Sequence, residues 1–169
     1  FYLNYIGLDM DVERGGNNQK KFILKPKDKN YSSFELRHAS SGIQTTAPLI
    51  AMMNYYAQAF DFKLAQKRSI IDLLFEKNLT TQYRPEMELT DMPKYVHIHI
   101  EEPELSLDPT SQIQMLNEII RLAFYAKVDS REIGLVLATH SPYIINSLNL
   151  LMKAHDCKTD IDGAHISYD

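Results

Sequence analysis

The stretch Val96-His97-Ile98-His99-Ile100-Glu101-Glu102-Pro103-Glu104-Leu105-Ser106-Leu107-Asp108-Pro109 changes texture twice. Its first five residues, β-branched and alternating with histidine, predict a short strand over 96–100. Glu101-Glu102-Pro103-Glu104 then reads as an acidic turn. Asp108 and Pro109 suit the N-cap and first position of a helix predicted over 109–127. The apolar positions Ile113, Leu116, Ile120 and Ala123 of that helix recur at helical spacing. The almost wholly apolar run 133–138 predicts a buried parallel strand. It leads into Thr139-His140-Ser141-Pro142 and a helix to about His155, with one more strand expected over 164–168. Strand, helix, strand, helix, strand is the grammar of an α/β sheet. In such sheets chemistry gathers at the carboxyl ends of the strands.

Upstream, residues 1–38 read as short strands and turns. Gly15-Gly16-Asn17-Asn18 is a turn signal, 20–25 and 34–36 are extended candidates, and 26–33 is a polar loop. Beyond Ser40-Ser41-Gly42 the positions Leu49, Met52, Met53, Tyr56 and Phe60 predict a helix over 45–60, with Pro48 in its first turn. Its N-terminus is presented by Ser-Ser-Gly. A second helix is expected over 69–79, with Ile70, Leu73 and Leu74 on one side, and an exposed linker over 80–93. No internal repeat is present.

Composition narrows the class. The chain has 169 residues, 44% hydrophobic and 24% charged, ordinary globular values that exclude a disordered tail, a collagen-like fibre and a disulfide-stapled mini-protein. No apolar run nears the ~20 residues of a membrane span, and Phe1–Ile6 lacks the basic start of a signal peptide. The chain opens without Met, and we expect a longer parent. Eighteen basic residues against twenty-two acidic ones, a formal charge of −4, argue against nucleic-acid grip along the whole surface. Lys63, Lys67 and Arg68 read as a solvated helix face. One cysteine, Cys157, fits a reducing cytoplasm.

Three polar clusters sit at strand or helix ends, each with a plain reading beside a functional one. Glu101-Glu102 is a solvated acidic turn, or a pair in which one carboxylate holds hydrated Mg²⁺ and the other orients an attacking water. Thr139-His140-Ser141 is a helix start capped by Ser141, which leaves His140 unexplained, or a group that meets a phosphate oxygen or a metal. Ser40-Ser41-Gly42-Ile43-Gln44 is an ordinary N-cap, or an anion site built on free N–H groups and the helix dipole.

Taken together and in this order, the three resemble motifs of the ATP-binding-cassette class of P-loop NTPases. Residues 96–109 resemble the Walker B segment and D-loop, 40–44 the signature motif, and 137–142 the switch-histidine loop. Glu-Glu-Pro-Glu and Thr-His-Ser-Pro are similar to the AAA-type ATPases of the OLD and SMC-like branch. The resemblance implies a P-loop NTPase-like α/β sheet with flanking helices, present here as its incomplete C-terminal part. Residues 1–169 would be one partial domain: a β-rich lead-in (1–38), the signature-like motif and its helix (39–60), an inserted element (61–94), and the core (95–169).

The resemblance further implies ATP and Mg²⁺. Glu102 would polarise the attacking water, and Glu101 would contact Mg²⁺ through its water shell. His140 would sense the γ-phosphate. Ser40, Ser41, Gly42 and Gln44 would bind the ATP held by a second copy of the protein, and Asp108 would lie at the junction of the two copies. Nucleic acid enters as a partner only through the parent protein, and no membrane partner is implied.

Three departures stand out. No G-x-x-x-x-G-K-[ST] occurs, so the phosphate-binding loop is expected upstream of Phe1 and the isolated chain is expected to be inactive. Glu101 stands where the family usually has Asp. The gap between the signature-like and Walker-B-like motifs is wider than in transporter cassettes. Two other readings stay open: a non-catalytic dimerisation or docking module, and a metal-dependent hydrolase built on His97, His99 and Glu101 with His140 nearby. For the histidines, local packing under a helix or loop is the simpler account.

Overall fold

Apolar and charged residues alternate strictly from Leu8 to Glu13, and this period of two makes a strand with Met10 buried. The computed structural model describes residues 2–3, 6–16, 19–28, 30–77, 94–126, 128 and 131–160. Strands β1 (Tyr2–Leu3), β2 (Leu8–Arg14), β3 (Lys20–Pro26) and β4 (Phe34–Glu35) form an antiparallel meander in chain order. Its central hairpin pairs Leu8 with Pro26 and Arg14 with Lys20, and is closed where Gly15 N–H donates to Gln19 O at 2.9 Å.

Helix α1 (Ser41–Asn54) starts four residues before the expected Thr45 because Ser40 caps it, its Oγ accepting from Ile43 N–H at 3.4 Å. Pro48 therefore lies inside the helix, on its exposed side, rather than in its first turn. Helix α2 (Phe62–Glu76) starts at its cap Asp61, upstream of the expected Ser69. The apolar side expected for α2 is not buried: Leu73 is exposed, and Phe62 is the one buried residue of the helix. The linker expected over 80–93 and the strand expected over 164–168 lie outside the described residues.

Strands β5 (Tyr95–Glu101) and β6 (Glu132–Ala138) pair in parallel, from Tyr95 beside Glu132 to Glu101 beside Ala138. Between them runs α3 (Pro109–Ile120), capped by Asp108 with Pro109 in its first turn; α4 (Pro142–Asp160) follows β6. The buried face of α3 and the turn after it is Met115, Leu116, Ile119, Leu122 and Ala123. It is rotated from the expected set, and leaves Ile113 exposed. Both α1 and α3 end in wide π-type turns, 55–59 and 121–125. These turns are tied together where Gln58 Nε2 donates to Ala126 O at 3.3 Å and Val128 N–H to Ala57 O at 3.2 Å.

One core joins these parts. Leu3, Met10 and Leu24 of the meander meet Ile50 and Met53 of α1, then Met115, Leu116 and Ile119 of α3, then Ile98, Ile100 and Ile133 of the parallel pair. Each such side chain contributes roughly 1.5–3 kcal/mol of burial. The chain is a mixed α/β structure with two small sheets and, among the described residues, four helices. The expected burial of 133–138 holds on one face alone. Tyr95, His97, His99 and Glu101 of β5 and Val136 of β6 stand exposed on the other. No helix among the described residues is long and apolar enough to cross a membrane.

Candidate functional site

The parallel pair ends with a reversal of the chain. Glu102 N–H donates to Ala138 O at 2.8 Å, one rung beyond the ladder, and Glu102 then takes φ +46°, the left-handed region a side chain rarely enters. Two closed turns follow: Leu105 N–H donates to Glu102 O at 3.1 Å and Leu107 N–H to Glu104 O at 3.0 Å. Ser106 takes φ +64° between them.

This reversal and the end of β6 bring Glu102 and His140 face to face. His140 Nε2 lies 3.7 Å from Glu102 Oε1, with the two side chains 89% and 55% exposed. The separation is too long for a hydrogen bond but short enough for both groups to engage one ligand atom or water. Glu101, next in the chain, ends β5 and is exposed on the bare face of the sheet.

Glu104 fastens the two loops. Its Oε1 accepts from Thr139 Oγ1 at 2.7 Å, His140 N–H at 2.8 Å and Ser141 N–H at 3.1 Å. Burial pushes its carboxyl up, but the Thr139 hydroxyl and the N–H groups of Glu104, His140 and Ser141 outweigh that and hold it below the ordinary range. A second tie runs through α3. Ser141 Oγ donates to Gln112 Oε1 at 2.5 Å, and Gln112 Nε2 donates to Leu107 O at 2.9 Å. Asp108 spends its carboxylate on the α3 cap, accepting from Ser111 Oγ at 2.5 Å and from Thr110 and Ser111 N–H at 3.0 and 3.1 Å. Those bonds, the Ser111 hydroxyl first, hold its carboxyl below the usual range.

The start of α1 lies against the turn that follows Glu104. A Cβ on Gly42 would meet Ser106 O and Leu107 Cδ2, each at 2.7 Å. Thr46 Oγ1 donates to Gly42 O at 2.7 Å inside this contact. Ser40 and Ser41 are exposed beside it, and Gln44 turns its amide back to donate to Ala39 O at 2.8 Å and Arg37 O at 3.1 Å. Among the described residues, Ser40, Ser41 and Gln44 make no hydrogen bond or ion pair to Glu102 or His140 of the same copy. The structure thus groups Glu102 with His140, and Gly42 with the turn leading to Asp108.

Glu104 and Gln112 are the participants to which motif reading gives no role. Their partners are remote in sequence, and the one local signal was a third carboxylate in an acidic turn. His97 and His99 belong to a row of rings on the bare sheet face. The Tyr95 and His97 centroids are 4.4 Å apart and those of His97 and His99 6.2 Å, and Gly134 leaves room beneath Tyr95 and His97. Among the described residues no group of three or more His, Cys, Asp or Glu side chains is placed to hold a metal ion. Glu101 and Glu102 are successive exposed carboxylates, oxygen donors of the kind that a hydrated Mg²⁺ accepts. No protein-family model matches the chain, and no curated protein matches it.

Proposed function

We propose that this chain carries the hydrolytic end of an ATPase site of the ATP-binding-cassette class. The cradle for the β- and γ-phosphates would come from sequence beyond these residues, and a second copy would close the site. The observation that supports this reading best is the pairing of Glu102 and His140, 3.7 Å apart at the carboxyl ends of two adjacent parallel strands. Phosphoryl transfer asks for a carboxylate to orient water and for a donor to meet the terminal phosphate. In this reading Glu102 accepts a proton from the attacking water while the His140 ring donates to a γ-phosphate oxygen. Mg²⁺, held through Glu101, would neutralise phosphate charge. Ser40, Ser41, Gly42 and Gln44, at the start of α1, would face the nucleotide of the partner copy.

The test is made in the full-length protein. Glu102→Gln keeps the shape and removes the base, so ATP binding is retained while turnover falls by about 10²–10⁴-fold. Unchanged hydrolysis in that variant refutes the role. A non-catalytic docking module is the second reading, and the exposed Leu64, Ile71, Leu73 and Phe75 of α2 favour it. An active, Glu102-dependent ATPase decides against it.

A further inference from the structure

The backbone N–H groups at the start of α4 are donors that the helix itself cannot satisfy. At that position a ligand anion would ordinarily be welcome. Here the place is taken: Glu104 Oε1 accepts from His140 N–H and Ser141 N–H, and from the Thr139 hydroxyl as well. Its other oxygen, Oε2, is shut away from solvent with no hydrogen-bond partner among the described residues. A carboxylate in that setting is held by what its first oxygen collects, because an unpaired buried oxygen is costly.

We propose that Glu104 is a positioning residue that latches the His140 loop to the Glu102 turn and restricts His140 to recognition through its ring. Two observations carry this. First, Glu102 and Glu104 lie in one closed turn, since Leu105 N–H donates to Glu102 O. A bond from Glu104 to the backbone of His140 therefore sets the distance between His140 and Glu102. Second, the donors are consecutive, and two of them are main-chain groups, so the latch fixes the path of the chain at residue 140 rather than one rotamer. With the N–H groups of 140 and 141 occupied, a phosphate cannot use either of them. The exposed Nε2 of His140, 3.7 Å from Glu102, is what it meets. The consequence for rate rests on the ATPase reading; the latch itself does not.

The experiment uses the full-length protein with Glu104→Gln, Glu104→Ala, His140→Ala and the double variant Glu104→Ala/His140→Ala. Amide hydrogen exchange reads the latch directly. In Glu104→Ala the amides of His140 and Ser141 exchange at least about tenfold faster, while those of α3 keep their protection. Glu104→Gln guards against misfolding, because it keeps the shape and one acceptor oxygen while removing the negative charge. Its exchange rates fall between wild type and Glu104→Ala.

Steady-state ATP hydrolysis reads the consequence. For Glu104→Ala we expect kcat to drop about 10²-fold with KM for ATP little changed, as for a reacting group moved by roughly an ångström. The double variant is then no slower than His140→Ala alone, because Glu104 acts through His140. Unaltered exchange at 140 and 141, or rate losses that multiply in the double variant, overturn the proposal. Absence of any ATP hydrolysis in the wild type sinks the ATPase reading alone, and the exchange rates still judge the latch.

Discussion

At Gly42 the absence of a side chain is a packing requirement. A methyl group there would sit 2.7 Å from Ser106 O, a main-chain atom that cannot swing aside. Gly42→Ala must push α1 away from the turn that carries Glu104 and Leu107, at a cost of about 1–3 kcal/mol for overpacking. Urea unfolding of the variant measures it, and a midpoint equal to wild type contradicts the contact. Sequence reading singled out Gly42 as an anion-site glycine; its contact with Ser106 is invisible there because the two residues belong to separate elements. Glu102 shows the same division. Its place at a strand end was legible, whereas its φ of +46° and the bond from its N–H to Ala138 O were not.

Among the elements, α3 was the most legible, since its cap, its proline and its period agree. Asp108 holds three donors from Thr110 and Ser111, and these lower its pKa. A group with a depressed folded pKa stabilises above its unfolded value and loses that contribution as pH falls through the folded one. Asp108→Ala should therefore lower the melting temperature at pH 7, and the gap from wild type should close below about pH 4, near the ordinary carboxylate pKa. Melting curves from about pH 3, roughly one unit below that value, up to about pH 7 test the sign. A gap that widens in acid is incompatible with the cap. The apolar face of α3 was misjudged because its period fixes the spacing of the stripe but not its rotation, which is set by α1, α4 and the sheet together. Helix α2 was half missed for a related reason. Its first turns carry Lys63, Gln66, Lys67 and Arg68, and Phe62 alone is buried, with the Arg131 guanidinium 5.3 Å above its ring.

At the scale of the whole molecule, the parallel pair is the element with one face bare. Parallel sheets are ordinarily covered on both faces, yet Tyr95, His99 and Val136 stand open opposite the face that α3 covers. On the proposed reading a second copy would complete the site, and the exposed Ser41 would serve that copy's nucleotide. In the full-length protein carrying Glu102→Gln, ATP should therefore convert monomer to dimer, read as a doubling of mass by light scattering. A mass indifferent to ATP rules out the nucleotide-sandwiched arrangement.

Much of this protein was settled by short-range pattern. Period two and period 3.6, the caps Ser40 and Asp108, and Pro109 and Pro142 determine where most strands and helices lie and that the chain is mixed α/β. Tertiary structure alone decided that β5 and β6 are direct neighbours, that Glu102 faces His140, and that Glu104 binds the loop after β6. The reason is physical. A cap or a period is written within a few consecutive residues, whereas a hydrogen bond between two loops depends on how a shared core stacks the elements that carry them, and that stacking leaves no mark on either loop's own sequence.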